Sequence, residues 1–167
     1  WIRMGTTVAT NALLERKGAK TLLVITKGFG DLLQIGNQNR PRIFDLEIRK
    51  PELLYQQVLE VDERVRLRRA DDSIPGVVGT TGEEFLILEK PNLEKVRNSL
   101  EEAKQAGIEA VAVVFLHAYA FPQHEQQVGA LARELGFEQV SLSHEVMPRV
   151  KVVARGDTTM VAAYLTP

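Results

Sequence analysis

"NLEKVRNSLEEAKQAGIEAVAVVFLHAY", Asn92 to Tyr119, decides the fold class. Its first half repeats apolar residues at helical spacing. Leu93, Val96, Leu100 and Ala103 form one stripe among charged positions, which predicts an amphipathic helix over Asn92–Gln105. Asn92 suits the N-cap and Gly107 the stop. From Ile108 the stretch is apolar almost throughout, as expected of a central strand covered on both faces. Further along, Pro122 opens a helix that runs through Leu135, with Val128, Leu131, Ala132 and Leu135 on its buried face and Gly136 at its end. "EQVSLSHEV", residues 138–146, reads as the next strand, and a last helix is expected over Asp157–Leu165. Strand alternating with helix is the pattern of a parallel α/β sheet.

Towards the N-terminus the same grammar continues. "TLLVIT", Thr21–Thr26, is a compact apolar run that suits a strand buried on both faces. Val8–Lys17 before it reads as a helix that ends on cations and stops at Gly18. "KGFGDLLQIG" gives a turn and a short helix. The polar, proline-bearing stretch after it has weak periodicity, with a helical turn expected over Glu52–Gln56. "VLEVDERVRL", Val58–Leu67, alternates apolar and charged residues and reads as one strand with a wet face that carries Asp62 and Glu63. "ADDSIPGVVGTTGEE" is a loop by its Gly, Pro and Asp content. "EFLILEK" is a second short strand, so an antiparallel pair is expected beside the parallel sheet.

The totals remove several function classes. The chain has 167 residues, 44% hydrophobic and 26% charged, as in an ordinary globular domain. The net charge of -1 gives no pull towards nucleic acid or an anionic membrane. With no cysteine, disulfides, thiolate catalysis and Cys-based zinc sites are excluded, and a reducing, cytoplasmic compartment fits. No signal peptide is visible, and no apolar run is long enough to span a bilayer. The chain begins with Trp1, so an N-terminal part is expected to be missing.

Chemistry has few candidates. GxxxxGK[ST] and GxGxxG are both absent. "GTTVATN" remains: Gly5, Thr6 and Thr7 at a helix start could bind an anion through hydroxyls and unpaired N–H groups, or simply cap the helix. "GNQNRP", Gly36–Pro41, sets Asn37, Gln38, Asn39 and Arg40 in a row. Amides and a guanidinium can pair with a carboxylate or a cyclic amide, but a polar surface loop reads the same way. His117 and His124 flank the carboxyl end of the central strand, where open parallel sheets bind ligands. A histidine there is either an acid or base or a structural residue, and the three histidines have no recognised metal spacing. Asp31, after the Gly28–Gly30 turn, reads as an N-cap for the next short helix, with a catalytic carboxylate as the alternative.

Four blocks now stand in order: "GTTVATNALLERKGAKTLLVITKGFGDLLQIGNQNRP", "LHAYAFPQHEQQVGALARELGF", "VSLSHEVMPRV" and "ARGDTTMVAAYLTP". Together they resemble the N-terminal region of the hydantoinase A/5-oxoprolinase family over essentially the whole chain. "HEQQVGALARELGF" and "VLEVDERV" look most like the eukaryotic ATP-dependent 5-oxoprolinases. The resemblance implies one lobe of an RNase H-like ATPase of the actin/sugar-kinase/Hsp70 type. It implies ATP as cofactor with Mg2+ and K+, and 5-oxo-L-proline as substrate, opened to L-glutamate within glutathione metabolism. It also implies further domains of the same enzyme as partners, and a homodimer. The family's first phosphate-binding hairpin, Asp-x-Gly-Gly-Thr-x-Thr-Asp, would precede Trp1, so residues 1–167 are expected to be an incomplete fragment, inactive alone. Gly5, Thr6, Thr7 and Asn11 then fall near the nucleotide cleft, and Asn37, Gln38 and Arg40 become candidate substrate contacts. A hydantoinase or ketone-carboxylase subunit, and a non-catalytic α/β regulatory or interaction module, are the alternatives.

Overall fold

The computed structural model describes residues 7–37 and 52–167. Four strands form a parallel sheet: β1 (Thr21–Thr26), β2 (Tyr55–Val61), β6 (Ala110–Val114) and β7 (Gln139–Leu142), in the order β2-β1-β6-β7. A smaller antiparallel sheet has the order β3-β5-β4, with β3 at Arg64–Leu67, β4 at Val77–Val78 and β5 at Glu84–Glu89. The helices are α1 (Val8–Leu14), α2 (Leu32–Ile35), α3 (Leu93–Gln105), α4 (Gln123–Glu134), α5 (Ser143–Val146) and α6 (Val152–Leu165). The parallel sheet and the antiparallel addition are both as expected.

The continuous apolar runs follow from two covered faces. In β1, Leu22 and Val24 point to one side, where Val111 and Val113 of β6 join Val96, Leu100 and Ala103 of α3 and Val128, Leu131 and Ala132 of α4. Leu23 and Ile25 point to the other side, with Ala110, Ala112 and Val114, against Leu33 of α2 and Met160 and Ala163 of α6. Each Val, Leu, Ile or Met side chain among them contributes about 1.5–3 kcal/mol on full burial. A third cluster, Val65, Phe85, Ala120 and Phe121, fastens the small sheet to the turn that follows β6.

Several boundaries differ from the sequence reading. Val58–Leu67 is two strands rather than one. The chain leaves the parallel sheet after Val61, turns at Asp62–Glu63 and enters the antiparallel sheet at Arg64. Alternating polarity could not reveal this, because both halves alternate. Consequently Glu63 is buried at 4% exposure, not on a wet face. The helical turn expected over Glu52–Gln56 is not formed, since β2 begins at Tyr55. The expected loop before β5 contains β4. The central strand ends at Val114 and not near Tyr119, because Arg155 and Glu125 take up the backbone groups of Phe115. β7 ends at Leu142, and Ser143–Val146 coils as α5. The last helix starts at Val152, one turn before Asp157, because Arg155 is buried and not at a helix exterior. Leu93 is 39% exposed and leaves the buried stripe of α3 to Val96, Leu100 and Ala103.

The α1 exit also differs. The helix ends at Leu14, and Arg16 takes the left-handed turn at φ 56°. Gly18 serves close approach instead: a Cβ there would lie 2.2 Å from the Tyr164 ring. Asn92 does cap α3, accepting from the Lys95 N–H at 3.1 Å. Asp31 occupies the N-cap position of α2 without a side-chain capping bond.

Candidate functional site

Polar side chains gather at the carboxyl end of the parallel sheet. Position explains this: four strand exits bring unpaired backbone groups together there, and buried polar groups need partners. The first turn of α4 supplies most of them. Glu125, fully buried, accepts from the Phe115 N–H at 2.9 Å and the Ser143 hydroxyl at 2.5 Å through Oε1. Its Oε2 accepts from the His144 N–H at 3.1 Å and pairs with His144 Nδ1 at 2.7 Å. Arg155 of α6, also fully buried, donates to Ser143 Oγ at 2.9 Å and to the carbonyls of Phe115 at 2.6 Å, Leu116 at 2.9 Å and Arg149 at 2.5 Å. Burial opposes its charge and lowers its pKa, while the nearby Glu125 carboxylate works the other way. Ser143, Glu125 and His144 do not form a nucleophilic triad. The serine proton goes to the carboxylate, its lone pair to Arg155, and its side chain is inaccessible.

Next to this network stands a second one. Glu63 accepts from the Thr26 hydroxyl through Oε1 and pairs with His124 Nδ1 at 2.8 Å through Oε2. Phe121 lies edge-on to the His124 ring, at 5.2 Å. Two of the three histidines are therefore held by buried carboxylates.

His117 differs. Its Nδ1 is buried without a hydrogen-bond partner, and its ring lies 5.7 Å from Phe85 and 6.2 Å from Tyr119. Burial pushes its pKa below the ordinary 6.5, which favours the neutral imidazole, while the Glu63 carboxylate works the other way. The ring borders a small cleft lined by Glu63, Arg64, Phe115, Leu116 and Phe121. Its Nδ1, unlike Nδ1 of His124 and His144, is not committed to a hydrogen bond.

The loop after β1 is closed from within. The backbone N–H groups of Gly28 and Gly30 converge on Glu60 Oε1, at 3.0 and 2.9 Å. Gly28, at φ +87°, makes that convergence possible. Arg64 donates to the Lys27 carbonyl at 2.8 Å and lies over the Phe29 ring at 5.2 Å. Among the described residues no group of three His, Asp or Glu side chains could hold a metal ion. No described helix is long and apolar enough to cross a membrane.

The candidates named from sequence are split. Gly5, Thr6, Gln38, Asn39 and Arg40 lie outside the described residues. Thr7 is at the N-cap position of α1 but makes no capping bond; its Oγ1 accepts from Asn11 Nδ2 at 3.4 Å. Thr7 and Asn11 are thus brought together on an exposed helix. Asn37 is exposed just beyond α2. Sequence reasoning missed Glu125, Ser143 and Arg155, and misplaced Glu63. The available signal was a charge inside an otherwise apolar helix face: Arg155, Thr159 and Ala163 repeat at four-residue spacing and all three are buried.

A family model described as the hydantoinase/oxoprolinase N-terminal region matches residues 1–136. The chain belongs to the hydantoinase/oxoprolinase family. It is 54% identical to the 5-oxoprolinase of Dictyostelium discoideum, an alignment covering 99% of this chain and 14% of that protein. It is likewise 54% identical to 5-oxoprolinase 1 of Arabidopsis thaliana, over 100% of this chain and 13% of that one. Among solved structures it is similar to the ATP-dependent caprolactamase from Pseudomonas jessenii, with a TM-score of 0.75 and 27% identity over 98% of this chain and 22% of that chain. The chain therefore spans only about 14% of the length of the curated relatives it matches.

Proposed function

We propose that the chain is the N-terminal part of an ATP-dependent 5-oxoprolinase, which opens 5-oxo-L-proline to L-glutamate with ATP hydrolysis. The observation that carries this reading is 54% identity to two 5-oxoprolinases across essentially the whole chain. The likeness to a caprolactamase supports the same substrate class, since caprolactam is also a cyclic amide. A lactam is a poor electrophile, and phosphorylating its oxygen makes the ring carbon attackable. Such transfer rests on positioned charge more than on covalent protein chemistry.

The described residues do not build a nucleotide site by themselves. The converging N–H groups after β1 are filled by Glu60, and no three-ligand metal cluster is present among the described residues. ATP, with Mg2+ and K+, belongs to the whole enzyme in this reading. Gly5, Thr6, Thr7 and Asn11 contribute one wall of its cleft. Asn37, Gln38 and Arg40 meet the substrate, where amides and a guanidinium suit a carboxylate and a lactam. A homodimer and a cytoplasmic location go with the same proposal.

The test is turnover by the intact enzyme. ADP and L-glutamate should form together when 5-oxo-L-proline is supplied, and neither should form quickly with hydantoin, caprolactam or acetone with bicarbonate. Efficient turnover of one of those three and none of 5-oxo-L-proline would move the protein to another branch of the family.

A further inference from the structure

The strand order β2-β1-β6-β7 reverses at β1: the chain passes outward to β2 on one side, and β6 opens the other. In open parallel sheets, ligands bind in the crevice at the carboxyl ends of the two strands that flank such a reversal. Here those strands are β1 and β6. They remain joined just past their ends, where the Leu116 N–H reaches Thr26 Oγ1 at 3.4 Å. His117 is the next residue. Its Nδ1 is buried with no hydrogen-bond partner, although buried polar atoms in native proteins are nearly always paired. Beside it lies the small cleft lined by Glu63, Arg64, Phe115 and Phe121, with room for about one water. A water there has polar partners in the imidazole, the Glu63 carboxylate and the Arg64 guanidinium. His124 and His144 offer no such option at Nδ1, since those atoms are bonded to Glu63 and Glu125 at 2.8 and 2.7 Å.

We infer that His117 is a catalytic residue of ring opening, its imidazole taking a proton from the water that attacks the activated lactam carbon. The inference rests on the proposed reading as part of a 5-oxoprolinase and names a residue which that reading leaves open. The water oxygen bonds to the ring carbon, and its proton goes to Nδ1. The ring carbon–nitrogen bond then breaks, its electron pair goes to nitrogen, and the imidazolium returns the proton there. The phosphoryl group that activated the carbonyl oxygen is released to a second water. An imidazole suits both directions because it gains and loses a proton near neutral pH. Burial, Arg155 of α6 and Arg64 of β3 oppose its protonation, and Glu63, in the turn before β3, favours it. Tyr119, with its ring at 6.2 Å, stays neutral, since burial raises its pKa.

Steady-state and first-turnover kinetics of the intact enzyme test this. His117→Asn should lower kcat for L-glutamate at least about a hundredfold without raising KM. ADP should still form in the first turnover at close to the wild-type rate, because the imidazole acts after phosphoryl transfer. The acidic limb of the wild-type kcat profile should have its midpoint below pH 6.5 and vanish in the variant. His117→Gln should behave alike, which keeps the test open if one variant fails to fold. Glutamate formation at the wild-type rate by either folded variant overturns the inference. So does a first turnover in which ADP is lost in step with glutamate, the mark of a merely structural ring. A wild-type enzyme that consumes no 5-oxo-L-proline overturns the functional reading, and this inference with it.

Discussion

The first turn of α4 and the whole of α1 are both short stretches at helix starts, and they behave oppositely. α4 begins "QHEQ" and buries both the histidine and the glutamate, which reach three strand exits: Glu63 after β2, Phe115 after β6 and Ser143 after β7. α1 begins "VATN" and buries nothing. The polar turn lies inside and the apolar helix outside, the reverse of what composition suggests. Burial follows from where the strands end. Their exits leave unpaired backbone groups that only polar side chains can satisfy, and α4 is the element that starts beside them.

The contrast is broken most severely at Glu125 and Arg155. The two meet through Ser143 Oγ, so removing either breaks the buried network and orphans a backbone group of Phe115. Glu125→Leu and Arg155→Leu should each cost about 3–5 kcal/mol, read by denaturant unfolding of the intact enzyme. A loss under about 1 kcal/mol would mean that water replaces these side chains at no great cost. Gly18→Ala comes next. Its Cβ would overlap the Tyr164 ring, so α1 must shift from α6, at about 1–3 kcal/mol. Restoring the stability with Tyr164→Leu would confirm the overlap as the cause.

How much of this was legible follows the same division. β1, α3 and α4 were readable because their apolar periods are local and their caps, Asn92 and Gly136, are local too. The split of Val58–Leu67 between two sheets was not, since pairing partners decide it and both halves alternate alike. Glu63 was misplaced for that reason. His124 and Glu125 were visible as residues, but their partners lie 61 and 18 positions away at Glu63 and Ser143. Within the candidate site, sequence placed His117 and His124 at the right end of the sheet. It could not say that Nδ1 of His117, unlike Nδ1 of His124 and His144, has no hydrogen-bond partner there.

On the exposed side the expected effects shrink. Thr7→Val should change stability by less than about 0.5 kcal/mol, against about 1 kcal/mol for a true N-cap, because Thr7 makes no capping bond. If the nucleotide-cleft role holds, the same variant weakens ATP binding by the intact enzyme. Lost stability with unchanged ATP affinity would return Thr7 to a purely local role.

The smallest effect separates a half-buried carboxylate with exposed lysine partners from the fully buried ones. Asp62 is bonded by Lys27 at 2.6 Å and Lys95 at 2.7 Å, and these two ammonium groups hold its pKa at about 2, below the ordinary 3.8. A pKa lowered by folding stabilises the native state above the unfolded value and ceases to do so as pH falls through the folded one. The stability difference between wild type and Asp62→Asn should therefore be constant above pH 3.8 and close towards pH 2. Because its lysine partners are exposed, 1 M salt, with a screening length of about 3 Å, should shrink that difference. The same salt should leave the Glu125 and Arg155 effects nearly intact, since their charges are shielded from ions by burial. An Asp62 difference that ignores both pH and salt would show that its contribution is packing rather than charge, and the distinction between the two carboxylates would then rest on burial alone.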